Sequence, residues 1–136
     1  MKNCNIGGSV YGATERSVDL PALHGHCIKH YRKASLFNGC TITPSSAADS
    51  TIIFGGNIAK VFDIIEVSPK KFFVVKMYKC VTHCFKQPFP SDIVGIFKVS
   101  QLSDVFELVE FQQSIQKCFA VPYKNKFIVV KMIHVV

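Results

Sequence analysis

The sequence predicts a mainly-β protein of five to seven strands closing into a small antiparallel barrel, with at most one short helix. Three observations lead there. Of 136 residues, 49% are hydrophobic, with 12 phenylalanines and no tryptophan, enough for a core of Phe, Val and Ile. From Thr51 onward, β-branched and aromatic residues gather in short runs bounded by Gly, Pro and Ser, which is how strands and turns read. Strands this apolar invite edge-to-edge pairing, and closure into a barrel removes the edges.

The elements follow in order. Residues 1–30 hold Gly7, Gly8, Gly12 and Gly25 among polar neighbours. They are too broken to bury a face, so a flexible N-terminal arm is expected, followed by one domain over residues 31–136. Thr43–Ser50 is a loop by composition. Thr51–Phe54 and Asn57–Val67 read as strands joined by the Gly55-Gly56 turn, and Lys71–Tyr78 follows the turn Ser68-Pro69-Lys70. After the break Pro88-Phe89-Pro90 come a strand over Ile93–Val99 and, at the end, one over Lys126–Val136. Between them, Leu102, Val105, Phe106 and Val109 fit a helical face, whereas Phe106–Phe111 is rich in strand formers. The expectation is a turn or short helical piece over Leu102–Val105, then strands over Phe106–Phe111 and Lys117–Val121.

One internal similarity stands out. Lys71-Phe72-Phe73-Val74-Val75-Lys76-Met77 and Lys126-Phe127-Ile128-Val129-Val130-Lys131-Met132 differ at a single position. With nothing alike around them, two strands meeting the same packing demand explain the match better than a duplicated unit, since solenoids repeat over 20–50 residues.

Composition excludes several classes. The apolar content excludes a disordered chain, and apolar runs of four or five residues fall far short of the roughly 20 that span a bilayer as a helix. No apolar signal core lies in Met1–Val10. Cys4, Cys27, Cys40, Cys80, Cys84 and Cys118 are therefore expected to be reduced thiols of an intracellular protein, with a nuclear address compatible with the charge.

Chemistry-bearing patterns are sparse. There is no G-x-S-x-G, no P-loop and no dinucleotide glycine motif, so no catalytic residue and no cofactor are expected. His26 and His30 with Cys80 and Cys84 would supply four zinc ligands. However, their spacing is not that of a finger or ribbon, and Cys80 ends an apolar strand where it packs as a small hydrophobe. A zinc-stabilised or metal-dependent domain is kept as the alternative reading.

The basic excess is the most usable signal. Sixteen Lys and Arg against nine Asp and Glu leave a net charge of +7. Arg32 and Lys33 follow Lys29; Lys70, Lys71, Lys76 and Lys79 surround one strand; Lys117, Lys124, Lys126 and Lys131 surround its twin. Tyr31, Tyr78 and Tyr123 lie among them. Phosphate contacts beside stacking aromatics are what nucleic acid requires, and Arg32, Lys33, Lys70, Lys71 and Lys79 are the candidate contacts.

The run His30-Tyr31-Arg32-Lys33-Ala34, then Leu36-Phe37-Asn38-Gly39, Asp49–Phe54 and Gly56–Ile64, resembles a domain of transposon-encoded, transposase-associated proteins. There a basic stretch and an Asn-Gly turn precede a Gly-x-Ile strand and a second strand ending in Cys or Tyr, here Phe73–Cys80. The resemblance covers residues 30–136. It implies a barrel of the Src-homology-3 or bromo-adjacent-homology kind, acting as an accessory binding module with no catalytic residue. The expected partners are protein or nucleic acid, not membrane, with a self-associating structural subunit as a further reading.

Overall fold

The computed structural model describes residues 9–14, 27–37, 39–84, 86–87 and 95–132. Among them the chain forms ten strands and no helix: β1 (Ser9–Thr14), β2 (Lys29–Ser35), β3 (Thr41–Ile42), β4 (Thr51–Phe54), β5 (Asn57–Val67), β6 (Lys70–His83), β7 (Ile96–Leu102), β8 (Glu107–Glu110), β9 (Gln116–Tyr123) and β10 (Lys126–Lys131). The pairing β5-β4-β9-β10-β7-β6 closes on itself through β5–β6, giving a six-stranded antiparallel barrel. The barrel expected from the sequence is present.

The β4–β5 hairpin is nucleated by Gly55 and Gly56, whose φ values of 53° and 82° are left-handed. Two such residues in a row make the turn whose twist matches that of the strands it joins.

β5 and β6 are long enough to serve two layers. A bulge in β5 between Val61 and Asp63 bends the strand, as an extra unpaired residue does. Before it, β5 pairs with β4; beyond it, the same edge takes β2 at Ile64–Glu66. β6 likewise pairs with β8 over Phe72–Val75 and with β7 from Tyr78 onward.

Two cores result. Ile53, Ile58, Tyr78, Phe97, Val99, Cys118, Ala120, Phe127 and Val129 come from all six barrel strands and fill its interior. The second core lies outside the barrel wall. There Ile52, Ala59, Val61, Phe73 and Val75 pack under Ala34, Leu36 and Ile42 on one side and Val109 and Phe111 on the other. Phe73 and Phe111 stack with centroids 4.4 Å apart.

Ser9–Thr14 and Lys29–His30, inside the expected arm, form strand: β1 pairs with β2 from Ser9↔Ser35 to Thr14↔His30. Residues 1–8 and 15–26 of that arm lie outside the described residues, as do residues 93–94 and 133–136 of two expected strands. The segment Leu102–Val105 is not helical. The Ser103 hydroxyl accepts the Val105 N–H at 3.1 Å and the Ser103 N–H is bonded to Met77 O at 2.7 Å, so a local side-chain turn competes successfully with a helical one.

Candidate nucleic-acid interface

Because side chains alternate along a strand, the residues between those filling the barrel face outward. On the β9–β10–β7 wall these form cross-strand rows: Phe119–Val130–Ile96, then Val121–Ile128–Lys98, then Tyr123–Lys126. Phe119, Val121 and Tyr123 are 40%, 44% and 45% exposed, a large apolar strip for a sheet face in water. At its Tyr123 end a cleft of about 300 Å³ is lined by Lys98, Tyr123, Lys124, Asn125 and Lys126. The Lys124 ammonium lies 5.3 Å from the Tyr123 ring centroid, within cation–π range.

Charge is segregated around this wall. Described residues 76–84, 86–87, 95–102 and 116–132 carry eight lysines and not one Asp or Glu. Three of these are engaged or turned away. Lys117 pairs with Asp49 at 2.8 Å, which holds the Asp49 carboxyl below its usual pKa. Lys76 sits 4.6 Å over the Phe106 ring. Lys131 lies beside the buried Cys118. Of the other five, Lys98, Lys124 and Lys126 line the cleft, and Lys79 and Lys86 are not among its lining residues.

The candidate contacts read from the sequence fall in different places. Lys70 and Lys71 begin β6 amid acids: Lys70 approaches Glu110 at 3.9 Å, and Lys71 is the cross-strand partner of Glu66. Lys79 is nine residues further along β6, about 30 Å away at strand rise, and is the one of the five in the half whose described residues hold no acid. Arg32 and Lys33 line a second cleft of about 470 Å³ with Tyr31, Thr43, Ser45 and Asp63. So the structure does not bring the five together. Lys98, which the sequence reading did not single out, joins Lys124 and Lys126 because β7 and β10 are neighbours, a pairing that sequence distance conceals.

His30, offered to zinc by the sequence, instead meets Asp63, with Nδ1 2.8 Å from Oδ2. Cys80 Sγ contacts Gln101 Oε1 at 3.6 Å, and His26 lies outside the described residues. Among those described, no three His, Cys, Asp or Glu side chains are placed to share a metal ion, and Cys27, Cys80 and Cys118 are free thiols. Burial pushes the Cys118 thiol up to about 12, so it stays protonated at neutral pH and is not a nucleophile. No helix among the described residues is long and apolar enough to cross a membrane.

Lys124 holds a φ of 56°, a left-handed backbone that costs a non-glycine residue roughly 1–2 kcal/mol. Strain of this kind gathers where a side chain is needed for another purpose. Lys124→Gly is expected to raise stability by about 1 kcal/mol in urea unfolding. A destabilised variant would show that the turn does not carry this strain.

A closed antiparallel barrel, with a second strand layer on one wall and a basic wall that no other described strand covers, defines a small-barrel protein. The chain belongs to the family described as Domain of unknown function (DUF8592), whose model matches residues 18–132. No curated protein and no solved structure matches it.

Proposed function

We propose that this chain is a non-catalytic binding module that holds nucleic acid against the lysine-rich half of its barrel. The observation that carries the reading is the charge segregation: eight lysines and no Asp or Glu among the described residues of that half, with Lys98, Lys124 and Lys126 around one cleft. Lysines concentrated in this way attract phosphate and displace its condensed counterions, which gives affinity and a steep salt dependence. The resemblance to transposase-associated accessory domains points the same way, toward a module working beside a DNA-processing partner.

The test is a fluorescence-anisotropy titration of labelled oligonucleotides at about 50 and 200 mM salt. Three phosphate contacts correspond to a loss of roughly 20- to 40-fold between these conditions. Combined Lys98→Glu, Lys124→Glu and Lys126→Glu should leave circular dichroism unchanged and abolish binding. Lys70→Glu with Lys71→Glu should retain it within about twofold, since acids already surround those lysines. Binding that survives the first variant and is lost in the second would move the site to the β5–β6 turn.

A further inference from the structure

The twin strands lie in β6 and β10, one on each side of β7, and their outward residues meet opposite fates. In β6, Phe73, Val75 and Met77 face away from the barrel and pack into the second core, with Phe73 and Val75 fully buried. The matching residues of β10 are Ile128, Val130 and Met132. Nothing among the described residues is layered over them, and Met132 is 38% exposed. An almost identical strand thus shows what this wall looks like when covered.

An anionic occupant fits the wall, because two of its three rows carry a lysine, Lys98 and Lys126, and the described residues of the surrounding half hold no Asp or Glu. A second copy seated wall to wall offers no anionic group, since the described residues of that half hold no Asp or Glu. The occupant must also offer flat apolar faces to Phe119 and Tyr123. These stand four residues apart on β9, about 13 Å at strand rise, with Val121 between them.

We infer that the β9–β10–β7 wall binds single-stranded nucleic acid, one base stacking on Phe119 and another on Tyr123, with a phosphate in the cleft of Lys98, Lys124 and Lys126. A duplex hides its base faces in its own stack and would set hydrated phosphates over Val121, Ile128 and Val130. A single strand exposes bases, and aromatic side chains on a sheet are the surface that accepts them whatever the sequence. This rests on the nucleic-acid reading above and narrows it to one strand.

The experiment compares labelled 15-nucleotide oligothymidylate with a 15-base-pair duplex at equal ionic strength. Preference for the single strand is expected to be at least tenfold. Phe119→Ala with Tyr123→Ala should weaken oligothymidylate binding at least tenfold and duplex binding less than threefold. Irradiation of an oligonucleotide carrying 5-iodouridine should cross-link the unmodified protein at Phe119 or Tyr123, which tests the contact independently of any variant's folding. Salt-sensitive binding with equal affinity for duplex would overturn the inference and leave the nucleic-acid reading standing. No salt-sensitive binding to either probe would overturn both. Concentration-dependent dimers lost in the double alanine variant, without nucleic-acid binding, would assign the wall to a second copy.

Discussion

Val129→Asp is expected to abolish folding, and Val130→Asp, one residue further along β10, to leave the protein folded. Val129 is fully buried in the barrel interior among Ile58, Val99, Cys118 and Ala120. Aspartate there forfeits about 1.5–3 kcal/mol of apolar burial. It also strands a carboxylate in a site without a partner, at several kcal/mol more. Together these approach the whole stability of a small domain, about 5–15 kcal/mol. Val130 is partly exposed on the outer face beside Phe119 and Ile96, which no other described strand covers, so an added carboxylate can reach water and its cost should be about 1–2 kcal/mol. Val74→Asp, at the matching place in the twin strand and fully buried, should fail like Val129→Asp. Circular dichroism and gel filtration of the three variants decide the matter: a folded, monomeric Val129→Asp protein would mean that the barrel does not close around that residue.

Strand identity was legible where the sequence carries a local signal. Gly55-Gly56 marked a hairpin, and the β-branched runs around it marked its arms. Boundaries were less so. β6 continues to His83 although apolar residues thin out after Tyr78, because pairing of Tyr78–His83 with β7 supplies backbone hydrogen bonds that need no apolar side chain. For the same reason Ser9–Thr14 forms a strand despite its polar neighbourhood: an edge on β2 was open to it. Neither partner can be seen from local composition.

The two-core arrangement was not legible, and the candidate site was missed with it. Along β9, Cys118 and Ala120 alternate with Phe119, Val121 and Tyr123. Alternation by itself would put the larger set inside. The barrel interior is already filled by Phe97, Phe127 and Tyr78, so β9 turns its small residues inward and its large ones out. That inversion depends on residues distant in sequence, as does the meeting of Lys98 with Lys124 and Lys126. What could be read was the mixing of lysine with aromatics near the second twin.

His30→Ala is expected to cost about 3–5 kcal/mol, unusual for a residue near the protein surface. The β5 bulge carries Asp63 into a site where it is only 2% exposed. Its Oδ1 accepts the Ile64 N–H at 2.9 Å and its Oδ2 meets His30 Nδ1 at 2.8 Å. Removing the imidazole leaves a buried carboxylate with one backbone partner, and it is this orphaned charge that makes the change expensive. Asp63→Ala should cost less than His30→Ala, because the imidazole it abandons is 13% exposed and can bond to water, whereas the carboxylate is 2% exposed. The double alanine variant should cost clearly less than the sum of the two, by about 2 kcal/mol, as contacting partners do in a double-mutant cycle. The pair ties β2 to β5 and so holds the outer layer on the barrel wall. Its loss should therefore loosen the cover over Phe73 and Val75 before the barrel interior. In urea unfolding with hydrogen exchange, amides of β2 should lose protection first in His30→Ala while those of β9 and β10 keep theirs. Additive costs, or uniform loss of protection, would show that the pair contributes nothing particular to the joining of the two layers.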